Sequence, residues 1–409
     1  MAMIEKVEKA FVLPPKDVLH LNQKLQKSSR YFMLAGVLGL VLCAVGLLKN
    51  PQGFFGSYLT VFCFFLSITL GSLFFVMLQY LTRSAWSVTL RRIAETLAYN
   101  VVFMAVLAIP VLICMHEVYS WSRPEVMAAD PLLQLKRPYL NIPFFYLRTV
   151  VYFGGWIVLA SFFLRTSRLQ DKTGDASLTY RMGRVAAGGM VFYALSETFF
   201  SFDWMMSLDS HWYSTLFGVY YFASSAVAIF CVLILIGALL HATGHLRGCI
   251  TKEHYHDLGK LLFGFNCFWA FIAFAQFLLY WYTNIPEETL FYHQRAVGSW
   301  KAVSLLLPWF HFAVPFVYLM SYHVKRNLAA LSLGAFGLLV LCFIDIYWLI
   351  QPNFHPAGAT FGISDIGALL AVGGFYVTFF LHNLRQASPI PAKDPRIEEC
   401  LSYNNGMPE

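Results

Sequence analysis

Ten separate stretches of this chain are long and apolar enough to cross a bilayer, and nothing else constrains its fold as strongly. They lie at about 31–48, 54–82, 94–116, 141–165, 180–202, 211–243, 257–284, 297–322, 327–350 and 361–384. Roughly 20 apolar residues in helix cover the ~30 Å of hydrocarbon in a membrane. A composition of 58% hydrophobic and 12% charged residues, with a mean hydropathy of +0.59, lies outside what a soluble domain tolerates. The runs are continuous, whereas a barrel strand alternates over ~10 residues, and backbone groups in lipid must be satisfied within their own segment. The expected fold is therefore all-α: a polytopic membrane bundle of ten transmembrane helices.

Charge placement orients the bundle. The side of the N-terminus carries 22 Lys and Arg, the opposite side carries six, and Arg148 lies inside the fourth run. By the positive-inside rule both termini are cytoplasmic. Residues 1–30 are then a cytoplasmic segment, 31–384 the membrane domain, and 385–409 a cytoplasmic tail. The first 30 residues hold six basic side chains and no early apolar core with a small-residue cleavage site, so no cleavable signal is expected and the first helix stays. The net charge of +7 is accounted for by topology and calls for no nucleic acid. Two longer segments on the outward side, about 117–140 and 285–296, read either as docking surface for another protein or as solvated connections.

Redox and catalytic signatures are missing. The eight cysteines form no CxxC, CxxCH or cluster, and six of them sit in apolar runs, where a lone Cys behaves as a small hydrophobe. No iron–sulfur ligands, covalent haem or disulfides are expected. Of the 12 histidines only His311 lies near the middle of a run, which argues against a bis-histidine haem. His241, His245, His254 and His256 could in principle take a metal, but with no carboxylate or Cys at ligand spacing they read as a solvated loop. There is no P-loop, GxGxxG after a strand, HExxH or GxSxG. The pairs Gly188-Gly189 and Gly373-Gly374 read as close helix packing.

Polar groups inside the runs carry what function the sequence reveals. Carboxylates are costly in a bilayer and persist mainly where they face a bundle interior, a wet cavity or a partner. The stretch SETFFSFDWMMSLDSHW strings Glu197, Asp203 and Asp209 along the end of the fifth run with no base among them. Glu197 and Asp203 differ by about 120° and 9 Å on a straight helix, so waters, or Ser201 and Ser207, would have to bridge them. Beside Trp204 and Trp212, Asp203 and Asp209 also read as ordinary boundary acids. Glu95 ends the third run on the inner side, and Asp345 lies in the outer half of the ninth. His311 sits between Pro308 and Pro315, which bend a helix and free backbone carbonyls; it is a candidate to relay protons or bond a quinone carbonyl, or else a satisfied core histidine. The candidate proton path is thus Glu95, Glu197, Asp203, His311 and Asp345. Arg148 is a candidate charge partner for Glu197 or Asp345.

Helices two to five and six to nine both begin on the outer face, which fits two four-helix bundles (54–202 and 211–350) as a parallel repeat, flanked by helices one and ten. This plan resembles the polysulfide-reductase-type (NrfD-like) membrane subunits. The strings FSFDWMMSLDSHWYSTLFGVYYFASS (200–225), HDLGKLLFGF (256–265) and FAQFLLYWYTNIPEET (274–289) resemble the F subunits of bacterial alternative complex III, a likeness running from about Val12 to Arg385. The resemblance implies a bacterial inner-membrane subunit of a quinol to cytochrome c, or equivalent carrier, oxidoreductase of the respiratory chain. Its implied partners are a paralogous C membrane subunit, an iron–sulfur subunit and multihaem cytochrome c subunits. Haem c, iron–sulfur clusters and quinol belong to those other subunits, and this chain would bind no cofactor or metal and carry no redox centre. A quinol-binding subunit with its own pocket near His311, and an independent ion or solute transporter, are the other two readings the composition allows.

Overall fold

A computed structural model of the protein describes residues 23–246 and 248–404. It is all-helical, and ten helices are long and apolar enough to span a membrane: α1 (Ser28–Lys49), α2 (Pro51–Leu81), α3 (Val88–Ile113), α4 (Ile142–Thr173), α5 (Ser177–Leu208), α6 (Phe217–Ala242), α7 (Lys252–Thr283), α8 (Trp300–Met320), α9 (Leu328–Asn353) and α10 (Ile363–Leu384). The protein is a multi-pass membrane protein. Below, the terminus side is the end at which α1 begins and α10 finishes; the other end is the far side.

Local chemistry sets the helix starts. Asn50, Asn141 and Asn327 accept from backbone N–H groups of the first turns of α2, α4 and α9, and Pro51 and Pro143 occupy first-turn positions where no N–H is needed. α4 ends at Gly174, whose φ of 73° places it in the left-handed region that favours glycine. Most of the ten windows read from the sequence lie within a few residues of these helices. The sixth begins six residues early, because His211–Leu216 is not helical: Asp209 accepts from the backbone N–H of His211 and Trp212 and turns the chain there.

The helices close into two rings of four. In the first, α2 packs on α3, α3 on α4, α4 on α5 and α5 on α2; in the second, α6 packs on α7, α7 on α8, α8 on α9 and α9 on α6. The rings join through α2 against α6, with α5 on α6 and α9 on α2 as a matching pair of crossings. α2 and α6 are apolar all round, as central helices must be: 89% and 72% of their most apolar windows are buried, against 17% for α1 and 22% for α8.

α1 and α10 pair at the periphery, and α10 rests on α2 and α3. Small residues make that pairing possible. A Cβ at Gly39 would run into the backbone of Ala371, and one at Gly374 would lie 2.6 Å from the Gly36 nitrogen and the Phe32 oxygen. Gly373 and Gly189 also face side chains of neighbouring helices, in keeping with the packing role read from the sequence. Gly188 does not: it has open space where a Cβ would point.

The segment after α10 folds back over the terminus side. Ser388 O accepts from Arg92, Asp394 pairs with Arg91, the Cys400 thiol donates to Trp86 O (3.0 Å), and the Tyr403 hydroxyl donates to Asp257 (2.6 Å). Residues 388–403 are thus a strap joining the bases of both rings.

Candidate functional site

The buried ionisable groups occupy three levels. At the terminus side of the first ring, Arg91, Arg92 and Glu95 lie one turn apart on α3, with Glu95 3.6 Å and 3.2 Å from the two guanidinium groups. Arg92 also reaches Asp171 at 2.7 Å, and the Tyr80 hydroxyl donates to Glu95. Both arginines are 1% exposed. They do not lie in a solvated loop.

At the far side, Arg148 of α4 grips Asp203 of α5 with two parallel bonds, Nε–Oδ2 2.7 Å and Nη2–Oδ1 2.9 Å, and the Tyr152 hydroxyl donates to the same carboxylate at 2.8 Å. The guanidinium also lies over Tyr139 and Phe144, 4.0 Å and 4.3 Å from the ring centroids. Arg148 therefore partners Asp203, not Glu197 or Asp345. Asp203 is a fully buried helix residue, not a boundary acid. Trp204 and Trp212, read from sequence as boundary residues, are buried with it.

Between these ends lies Glu197, 1% exposed and without an ion pair among the described residues; its Oε1 has no hydrogen-bond partner. The hydroxyl of Tyr193, one turn before it, is also unpartnered. Neither serine bridges Glu197 to Asp203. The Ser201 hydroxyl donates to Thr198 O and the Ser207 hydroxyl to Asp203 O, both within their own stretch of chain. Buried polar atoms left open in this way are where ordered water is expected.

The second ring holds its acid differently. Asp345 of α9 is fully buried and accepts from the Tyr220 hydroxyl (2.5 Å) and Trp269 Nε1 (3.1 Å), again with no cation beside it among the described residues. His311 stacks on the other face of the scene: its ring lies 3.8 Å from that of Trp269, and its Nε2 is 3.6 Å from the Cys342 thiol. The two prolines do not simply kink α8. Its turns widen into a π-helix over Leu307–Ala313, which turns His311 inward to 0% exposure. The sequence-derived residues thus fall into two groups, Glu95, Glu197 and Asp203 in the first ring and His311 and Asp345 in the second. Glu197 and Asp345 lie on corresponding helices, the last of each ring.

The histidine cluster read as a solvated loop is instead packed: His245, His254 and His256 are buried. His254 Nδ1 accepts from the backbone N–H of Thr251 and caps α7. Among the described residues no three His, Cys, Asp or Glu side chains gather as a metal site. Asp365 likewise serves a helix start, accepting from the Gly362 N–H.

Sequence reasoning missed Tyr220, Trp269 and Arg295. The first two lie among many aromatic residues and are singled out only by their contact with Asp345. Arg295, counted from sequence as an outer-loop charge, is 2% exposed; it donates to the carbonyls of Phe291, Trp348 and Leu349 and so neutralises the C-terminal end of α9. Burial pulls its pKa down to about 9, which leaves it a cation at neutral pH. No protein-family model matches the chain, and no curated protein matches it significantly.

Proposed function

We propose that this chain is a membrane subunit, with no redox centre of its own, of a quinol to cytochrome c (or equivalent carrier) oxidoreductase of the alternative complex III kind. In this reading it lies in a bacterial inner membrane with the terminus side cytoplasmic, as its basic residues favour. The long strings around α5 to α7 support the assignment to that assembly. Haem c, iron–sulfur clusters and the quinol then reside in the neighbouring cytochrome, iron–sulfur and C subunits.

The observation that carries a proton-handling role is the pair Glu197 and Asp345, a buried carboxyl in each ring with no cation beside it among the described residues. An acid fixed for structure is expected to look like Asp203, clasped by an arginine. An acid that must take up and release a proton is better served without one. Unpartnered Tyr193 and Glu197 favour water between the ends of the first ring, and His311 with Trp269 supplies a polar continuation beside Asp345.

The test replaces Glu197, His311 and Asp345 together by Gln, Gln and Asn in the intact complex. Proton release per quinol should fall while electron transfer to the acceptor continues. An unchanged ratio removes the proton role, and assembly without haem and iron–sulfur subunits removes the assignment to this kind of complex.

A further inference from the structure

α7 and α8 do not touch along their whole length. α7 packs on Leu307–Met320, but above Leu307 the two helices part toward the far side. The gap is a cavity of about 1090 Å³ with Tyr220 and Trp269 at its back. Phe271, Phe274 and Leu305 on its lips are more than half exposed, so it opens sideways onto the lipid-facing surface.

Three properties of this groove select an occupant. The first is length. From Lys301 at the mouth to Phe312 at the base is eleven residues of α8, roughly 16 Å at the helical rise, close to the ~15 Å of one leaflet's hydrocarbon.

The second is charge. The wall includes Arg295, Lys301 and His293 and no Asp or Glu; the acids of the adjoining Pro286–Gln294 helix, Glu287 and Glu288, are in its first turn and outside the wall. Lys301 is exposed at the mouth and has no carboxylate partner among the described residues.

The third is the state of the polar groups deep in the wall. The Tyr220 hydroxyl and Trp269 Nε1 are spent on Asp345, Trp348 Nε1 donates to the Ser304 hydroxyl, and that hydroxyl donates to Arg295 O. Their donors are committed within the protein, which disfavours a ligand with a polar head at depth, such as a quinone. The exposed cation, Lys301, lies at the mouth, where a headgroup would sit.

We infer that the groove between α7 and α8 is a site for an anionic phospholipid of the far-side leaflet, its phosphate at Lys301 and its acyl chains against Phe271, Phe274 and Phe312. The bound chains would close the membrane side of the second ring and keep Tyr220, Trp269 and the carboxyl behind them from loose contact with bulk lipid. The inference rests on the groove and does not require the proposed function.

The full chain, with whatever subunits accompany it, is reconstituted in phosphatidylcholine containing a minority of phosphatidylglycerol. It is then re-extracted in detergent, and the retained lipid is measured by mass spectrometry. Retained lipid should be enriched in phosphatidylglycerol. Lys301→Ala should lower that enrichment about fivefold, the effect of one basic side chain at a membrane surface. Ala273→Trp, which fills the groove, should remove the retained molecule while thermal unfolding shows the chain still folded. Ala270→Leu is a milder filling variant should the tryptophan prevent folding. Added inorganic phosphate should not displace the lipid, since the chains contribute to binding. Equal retention of the two lipids, enrichment indifferent to Lys301→Ala and to both filling variants, or displacement by a short-chain quinone would overturn the inference.

Discussion

Arg148 and Glu197 mark the two fates of a buried charge in this protein. Arg148 and Asp203 satisfy one another with two short bonds inside the bundle, so removing either partner leaves an unmatched ion there. Arg148→Gln should destabilise the protein by about 3–5 kcal/mol, whereas Arg148→Met with Asp203→Leu should recover much of the loss; thermal unfolding in detergent measures both. Glu197→Gln should leave the unfolding temperature nearly unchanged, because no ion pair is broken. A large drop would mean that Glu197 has a cationic partner. Which acids belong to which class was only partly legible in the sequence. The cost of intramembrane carboxylates marked Glu197 and Asp345 as interior groups. Asp203 read as a boundary residue because its arginine is 55 positions away, on another helix. Pairing across helices leaves no local signature, and the same is true of Tyr220 and Trp269 against Asp345.

Helices were the most legible elements, since hydrocarbon thickness fixes their length and Asn, Pro and Gly punctuate their ends. Less legible was where two helices approach backbone to backbone. Gly374→Val should separate α1 from α10 at a cost of about 1–3 kcal/mol, by overpacking, while Gly154→Val, with open space around it, should cost little; thermal unfolding distinguishes them. The far-side connections were read as docking surface or loop, and they contain short helices of their own. One of them, Pro131–Lys136, is tied to the next connection by Asp130 and His211. The hydrogen bond from His211 holds the Asp130 carboxyl below its usual pKa. The tie is therefore fully present above the ordinary aspartate range and is lost as pH falls through the lowered value. Asp130→Asn keeps the helix cap but removes the carboxylate that bonds His211. It should make residues 124–136 accessible to protease at neutral pH, as acidification does in the wild type; equal protection at both pH values would contradict the tie.

At the scale of the whole molecule, composition alone specified a polytopic bundle, and the positions of ten apolar runs located its helices. Ring closure was not readable in the same way, because a run that is apolar all round does not say which neighbour it meets. α2 and α6 are central because they have no polar face to present elsewhere. The strap over the terminus side was invisible in the sequence as well: residues 388–403 look like a polar tail, and only the fold brings Asp394 to Arg91 and Tyr403 to Asp257. Truncation after Arg385 should leave Arg91 short of a counter-ion and lower the unfolding temperature, and Asp394→Asn should reproduce part of that loss. The broadest proposal is that this frame works inside a quinol-oxidising assembly. Its most direct measurement is purification of the tagged full chain from its own membranes, with identification of the accompanying polypeptides and assay of quinol oxidation. Multihaem cytochrome and iron–sulfur subunits with that activity are the expected result; a single polypeptide that carries ions or solutes on its own in liposomes would contradict it.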